Sequence, residues 1–118
     1  MACVNVDTTD YCPGTINVNC IYEGFSYPDE WLFTDVNGDA IDITNDDFSL
    51  QIRDDSGTLI QTMGIGTGLS INGPNGLQLL WGAPMTDAAG VYSFRLIWSE
   101  SATGASYPVV IGRIAVKA

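Results

Sequence analysis

The stretch Tyr92-Ser93-Phe94-Arg95-Leu96-Ile97-Trp98 alternates in character, with Tyr, Phe, Leu and Trp falling on one face of an extended chain. The stretch Phe48-Ser49-Leu50-Gln51-Ile52-Arg53 repeats the pattern, and Val110, Ile114 and Val116 continue it near the C-terminus. A period of two is typical of strands that are buried on one face. Since no stretch keeps a helical period, the sequence predicts antiparallel strands around one core.

Turn signals separate these strands at regular intervals. Asn37-Gly38 lies between Trp31-Leu32-Phe33 and Ile41-Asp42-Ile43, which is a two-residue hairpin signal. Further turns are indicated at Asp55-Ser56-Gly57, at Asn72-Gly73-Pro74-Asn75-Gly76 and at Ser101-Ala102-Thr103-Gly104. Strands that recur roughly every 8–12 residues are typical of a sandwich. We therefore expect an all-β fold, a single Ig-like antiparallel β-sandwich of about seven or eight strands with an N-terminal extension.

The composition of the chain excludes several classes of function. Its 118 residues, 46% of them hydrophobic, suit one globular domain. Four basic residues stand against 14 acidic ones, so the net charge is −10, and histidine is absent. Without histidine there is no imidazole base and no histidine metal ligand. The four cations (Arg53, Arg95, Arg113 and Lys117) are scattered along the sequence, so we expect neither nucleic acid nor membrane as a partner.

Carboxylates are the abundant reactive groups, and turns explain most of them. Oxygen-bearing side chains alternate in Asp35-Val36-Asn37-Gly38-Asp39, as they do in a calcium-binding loop. The glycine, however, comes one position earlier than in an EF-hand. A hairpin turn accounts for the same residues. Asp46-Asp47 and Asp54-Asp55 flank one strand, where such pairs usually cap turns. Gly64-Ile65-Gly66-Thr67-Gly68 lacks the Lys-Ser/Thr of a phosphate loop and is interpreted as a strand connection. We expect no enzyme, no cofactor and no bound metal.

The first 26 residues differ in character from the rest. They contain neither a basic segment nor a sustained apolar run, so we expect no signal peptide and synthesis in a cytosol. We divide the chain into an N-terminal arm or first strand at 1–26 and a β-sandwich domain at 27–118. A mixed interpretation has an arm to about Gly14 and a strand from Thr15. The residues expected to dock on a neighbouring subunit are Val4, Val6, Tyr11, Ile16, Val18, Cys20 and Ile21.

The three cysteines, Cys3, Cys12 and Cys20, all lie in this N-terminal segment. Their spacing is unlike that of a zinc site, which needs four ligands in close pairs. Because the number is odd, one intramolecular disulfide leaves a thiol that is free or bridges to another chain. Inert thiols and an intermolecular disulfide both remain open.

Aromatic side chains offer a second kind of binding surface. Trp31 and Trp81 are candidates for exposed aromatics that stack on sugar rings, Trp81 because it ends a strand just before Gly82-Ala83-Pro84. Trp98 shares the phase of the apolar residues in its strand and is expected in the core. A structural role in the core is the alternative for Trp31 and Trp81 as well.

A turn followed by a tyrosine at Asp87-Ala88-Ala89-Gly90-Val91-Tyr92 resembles the tyrosine corner of immunoglobulin-like sandwiches. In that motif the tyrosine hydroxyl bonds back to the backbone before its strand. The spacing of Asp87 differs by one residue, and Phe94 stands where immunoglobulin domains carry a cysteine. The resemblance implies a stabilising contact by Tyr92 and a sandwich without the inter-sheet disulfide.

The order of motifs over residues 27–117 is similar to the small β-sandwich domain of tailed-bacteriophage structural proteins, which include the N-terminal domains of baseplate upper proteins and related tail-fibre proteins. The family's pattern runs D-x-x-G-x-P-I-D-L-T, F-x-L-Q-I-R, G-x-Y-x-Y-D-L and a closing G-x-x-x-V. The matching stretches here begin at Asp35, Phe48, Gly90 and Gly112. Ala40 replaces the family's proline, and Leu96-Ile97 follows Arg95 where an acidic residue is common.

The resemblance implies a non-enzymatic virion protein, a tail, baseplate or tail-fibre adaptor that assembles through its arm and sheet edges. Its expected partners are other virion proteins and further copies of itself. One alternative is a capsid decoration (cement) protein. Another is a carbohydrate-binding β-sandwich that holds a host glycan on Trp81 and Trp31.

Overall fold

The computed structural model describes residues 2–7, 14–35, 37–82 and 84–118, and of residues 2–7, 19 and 20 the backbone alone. Within these ranges the chain forms nine strands and one short 3₁₀ helix, which confirms the all-β prediction. The strands are β1 (Ala2–Asp7), β2 (Gly14–Tyr22), β3 (Tyr27–Thr34), β4 (Asp47–Arg53), β5 (Leu59–Ile65), β6 (Gly68–Asn72), β7 (Gly76–Trp81), β8 (Gly90–Ser99) and β9 (Ser106–Lys117), and the 3₁₀ helix spans Met85–Asp87.

The strands follow one another in a single curled sheet with the order β1-β3-β7-β6-β5-β4-β8-β9-β2. The ladder is weakest between β5 and β6, where only two residue pairs, Gly64 with Gly68 and Ile65 with Leu69, are formed. The sheet therefore folds into two layers, which we call sheet I (β1-β3-β7-β6) and sheet II (β5-β4-β8-β9-β2). The result is a sandwich-like fold whose layers are joined at one corner.

Glycines make this corner. Gly66 has φ +86° and Gly68 has φ +93°, both in the left-handed region that glycine enters without steric cost. A Cβ added to Gly68 would come within 2.5 Å of the Met63 sulfur, so the corner has no room for a side chain there. The glycine-rich stretch thus connects two strands, as the sequence predicts.

Aromatic side chains from both layers fill the space between them. The rings of Trp31 in β3 and Phe94 in β8 have centroids 5.8 Å apart, and those of Phe33 and Trp98 are 5.5 Å apart. Burial alternates along β4 and β8, so the period-two prediction is confirmed for both strands. Burying large apolar side chains contributes roughly 1.5–3 kcal/mol each, so the aromatic cluster contributes substantially to the stability of the fold.

Two details differ from the expected antiparallel arrangement. Three neighbouring pairs of strands are parallel: β1 with β3, β5 with β6, and β2 with β9. The expected second strand of the hairpin at Asn37-Gly38 is reduced to one bridge between Thr34 and Ala40. Beyond that bridge, the backbone of Ile43 turns to donate a hydrogen bond to the carbonyl of Pro74 (2.8 Å), and its side chain is buried in the core.

Candidate functional site

The second strand belongs to the sandwich rather than to a free arm. β2 pairs in parallel with β9 from Gly14 to Tyr22, and a bulge interrupts the register between Val18 and Ile21. Ile16 and Val18 pack against the core, and beyond the bulge Ile21 is buried while Tyr22 is 46% exposed. The prediction that Ile21 docks on a neighbour is therefore wrong, because the bulge turns its side chain into the protein's own core.

The remaining N-terminal candidates are placed only in part. Tyr11 and Cys12 lie outside the described residues. Val4 and Val6 occupy β1, in register with Trp31 and Phe33 of β3, and Cys3 lies beside them on the same strand. Cys20 lies at the bulge of β2, and the side chains of these four residues are not described. The predicted docking and disulfide roles of this segment stay predictions.

The two tryptophans proposed as a sugar platform are not exposed. Trp31 has 0% and Trp81 1% of its surface accessible, so the exposed-aromatic prediction is wrong and the alternative core role is what the structure shows. Trp81 faces inward because it shares the phase of Leu77 and Leu79 in β7. Its indole N–H donates to the carboxylate of Asp29, which satisfies the polar edge of a buried ring. No hydrogen-bond acceptor for the Trp31 indole N–H is found within the described part of the chain.

The tyrosine corner forms as predicted. The Tyr92 hydroxyl donates to the carbonyl oxygen of Ala88 at 2.8 Å, across the turn that leads into β8. The side chain is 8% exposed. Burial, followed by the negative charges of Asp54, Asp55, Glu23 and Asp87, raises the pKa of the Tyr92 phenol above its ordinary value. The role of this contact is to stabilise the fold.

Several carboxylates are used in turns. Asp35 accepts hydrogen bonds from the backbone N–H groups of Asn37 (2.9 Å) and Asp39 (3.0 Å), as expected of a hairpin turn. Asp54 accepts from the hydroxyl of Ser56 (2.6 Å) and the backbone N–H of Thr58 (3.0 Å). These bonds hold the pKa of the Asp54 carboxyl below its usual value, with the Ser56 hydroxyl as the largest cause. Thr44 lowers the pKa of Asp42 in the same way.

Asp46 links two loops at one end of the sandwich. Its carboxylate accepts from the indole N–H of Trp98 (2.9 Å) and from the backbone N–H and hydroxyl of Ser101 (both 2.9 Å). Asp47 pairs with Ser99 in the adjacent ladder. The loops at 35–47 and 99–105 therefore share this end. We call it the acidic end, and its carboxylates are Asp35, Asp39, Asp42, Asp46, Asp47 and Glu100. Neither loop contains a cation.

The cations gather on a different surface, the outer face of sheet II. Arg53, Arg95 and Arg113 occupy positions in β4, β8 and β9 that alternate with buried residues. The ladders place them in two rows across the sheet. One row is Gln51, Arg95 and Ile111, and the next is Arg53, Ser93 and Arg113. Lys117 follows in phase at the end of β9.

We call this surface the cationic face, and sequence reasoning missed it. The cations are scattered along the chain, yet the structure places all four on one side of one sheet. The sequence does indicate that each arginine points outward, because each alternates with apolar residues in its own strand. Strand phase alone could not show that the three strands are neighbours.

The cationic face also carries apolar side chains. Val91 is 51% and Ile111 38% exposed. A groove of about 480 Å³ includes Val91 in its lining, together with Ser93, Arg113, Asp54 and Asp55. The two aspartates mark where the cationic face ends.

Two further observations concern the described ranges. No cluster of three or more potential metal-ligating side chains occurs there. None of the helical segments described has the length and apolar character needed to cross a membrane.

Comparison with known proteins finds similarity at the level of the fold. No protein-family model matches the chain, and no curated protein matches it in sequence. Among solved structures, the chain is similar to the N-terminal domain of phage TP901-1 ORF48, with a TM-score of 0.61 and 10% sequence identity. The match covers 100% of both chains.

Proposed function

We propose that the chain is a non-enzymatic structural subunit of a bacteriophage virion. The observation that carries the proposal is the fold shared with the N-terminal domain of phage TP901-1 ORF48 over the whole length of both chains. At 10% identity the likeness concerns the backbone, so it supports a class of role and leaves the individual contacts to this chain's own surface.

Within the virion we propose a tail, baseplate or tail-fibre adaptor that assembles with other virion proteins and with copies of itself. The phage neighbour supports a virion role, and the motif order favours the tail over the capsid. Assembly through surfaces and sheet edges requires no reactive groups. Sheet edges are suitable for this because an edge strand presents backbone N–H and C=O groups to a partner.

The carboxylates also support a structural role. Asp35, Asp46 and Asp54 each accept two or more hydrogen bonds that hold a turn or join two loops. A catalytic carboxylate instead needs a partner group in a cleft and a pKa adjusted to proton transfer. The pKa of Asp54 is shifted downward, which favours a permanently ionised structural group.

The carbohydrate-binding alternative depends on two tryptophans that are buried. A sugar platform needs aromatic faces open to solvent, and Trp31 and Trp81 are both enclosed by the core. No other observation on the described residues favours a glycan over a protein partner, so the structural role stands as the proposal.

The direct test is to locate the protein in particles. Phage particles from the source of the sequence are purified on a density gradient, and the protein is detected by immunoblotting with an antibody raised against the recombinant chain. We expect co-sedimentation with intact particles and labelling of one end of the particle by immunogold microscopy. Detection only in the soluble fraction of infected cells would contradict a virion role, and labelling over the whole head would favour the decoration alternative.

A further inference from the structure

Charge is distributed over this molecule in an unusual way. The chain carries 14 acidic and four basic side chains, so each cation has several carboxylates available for pairing. Within the described part of the chain, however, none of the four cations forms an ion pair. Arg95 donates to the amide oxygen of Gln51 at 3.0 Å, and Arg53 to the backbone carbonyl of Gly57 at 3.4 Å. Both partners are neutral.

The placement of the two charge types is complementary. Arg53, Arg95 and Arg113 lie on the cationic face, in neighbouring rows of sheet II. Five of the six carboxylates of the acidic end lie in loops beyond the other end of the same strands, and the sixth, Asp47, is the first residue of β4. Those loops contain no cation. Within one chain, Arg53 is separated from Asp46 by the length of β4.

We propose that the acidic end of one copy docks on the cationic face of a second copy. The inference rests on the proposed assembly role and specifies the two surfaces through which copies of the chain would associate. Opposite charges steer the two surfaces together, and the exposed Val91 and Ile111 supply apolar area that is covered on docking.

The proposed contact joins two different surfaces, so it is heterologous. Each copy keeps a free acidic end and a free cationic face after docking, which allows further copies to add. Such contacts form a closed ring when the rotation between copies closes, and an open filament otherwise. Either product is an oligomer of more than two chains, in contrast to a two-fold dimer.

Ionic strength provides the first arm of the test. Light scattering and sedimentation velocity of the purified chain are compared between low and high sodium chloride. The Debye length falls from about 10 Å at 0.1 M, where the repulsion between the net charges of the two chains is already largely screened, to about 3 Å at 1 M, so close charge contacts weaken as salt is added. We expect oligomers at low salt that dissociate at high salt. A monomer at low salt and high protein concentration, or an oligomer that salt does not affect, would overturn the inference.

Charge reversal provides the second arm. Arg95→Glu is expected to weaken association by about tenfold or more, since it removes an attraction and adds a repulsion. Asp39→Lys tests the acidic end. The Asp39 side chain is exposed, and the residue donates to the Asp35 carboxylate through its backbone N–H, which the substitution keeps. The double variant Thr67→Asp/Ser70→Asp serves as the control. It changes the net charge as Arg95→Glu does, at two exposed positions in the corner and on sheet I, and it is expected to assemble like the unmodified chain.

Mixing the two single variants gives the sharpest result. The altered face of Arg95→Glu and the altered end of Asp39→Lys again carry opposite charges, so the mixture is expected to regain association that neither variant shows alone. Association that survives in Arg95→Glu, or is lost equally in the control, contradicts the proposed surface. These outcomes are independent of the particle test, because a virion subunit that is monomeric in solution still co-sediments with particles.

Discussion

Gly112 of β9 lies so close to the backbone of Ile16 in β2 that a Cβ atom at position 112 would collide with the Ile16 carbonyl oxygen. The two residues are partners in the parallel ladder that adds β2 to sheet II. The same Cβ would also approach a ring carbon of Phe94 to 2.8 Å. The glycine that opens the closing G-x-x-x-V motif therefore has a physical role, which is to let the N-terminal strand join the sandwich.

Gly112→Ala is expected to destabilise the fold by about 1–3 kcal/mol, because the obstruction is backbone and cannot rotate away. Urea unfolding followed by circular dichroism measures the change. Gly14→Ala is the matched control, since its Cβ would lie at an ordinary contact distance, 4.0 Å, from the carbonyl oxygen of Val109. Equal unfolding free energies for the two variants would show that β2 does not pack against β9 in this register.

The tyrosine corner gives a second stability prediction. Tyr92→Phe removes the hydroxyl that donates to Ala88 and leaves the ring in place, so we expect a loss of about 1 kcal/mol. Tyr22→Phe, on a side chain that is 46% exposed, is expected to change the unfolding free energy by much less. Stability that is unchanged in Tyr92→Phe would mean that solvent replaces the bond at no cost.

Tyr92 also predicts a pH dependence at the alkaline end. Its pKa is raised above 10.0, chiefly by burial and further by the carboxylates of Asp54 and Asp55. The folded protein therefore keeps the proton longer than the unfolded chain. The resulting stability is fully present below the unfolded pKa and is lost as the pH rises through the folded one. Unfolding free energies measured across pH 10.0 should fall less steeply in Tyr92→Phe than in the unmodified chain.

Local patterns predicted local structure well. The period of two in 48–53 and 92–98 gave the correct strands and faces, and the turn before Tyr92 gave the correct hydrogen bond. These predictions succeed because each depends on residues that are close together in the sequence. Strand phase and turn chemistry are set by neighbours, so no knowledge of the sheet order is needed.

Predictions that depended on sheet order failed. The alternation of Ile16, Val18, Cys20 and Tyr22 reads as one face, but the bulge after Val18 reverses the phase and buries Ile21. Trp81 ends its strand, a position that suggests exposure, and yet the facing layer covers it. The cationic face could not be predicted because Arg53, Arg95 and Arg113 become neighbours only through the order β4-β8-β9.

At acid pH the turn carboxylates should be the sensitive groups. The pKa of Asp54 lies below the ordinary 3.8, with the Ser56 hydroxyl as the main cause. Its contribution to stability is present above the unfolded pKa and is lost as the pH falls through the lower folded one. Ser56→Ala is expected to move the Asp54 pKa back towards 3.8, as measured by NMR titration of the side-chain carboxyl. Ser70→Ala, at an exposed position of β6 in the other layer, should leave that titration unchanged.

The burial of all three tryptophans predicts how the protein will fluoresce. Trp31, Trp81 and Trp98 are each at most 3% exposed, so their emission should be blue-shifted relative to the unfolded chain and weakly quenched by iodide. Because Trp31 and Trp81 both lie within 6.2 Å of another aromatic ring in the core, a ligand could reach them only if the sandwich opened. Titration with oligosaccharides should therefore leave the emission unchanged. Strong quenching by iodide in the folded state, or a saturable change with a sugar, would show that these rings are reachable after all and would restore the carbohydrate-binding alternative.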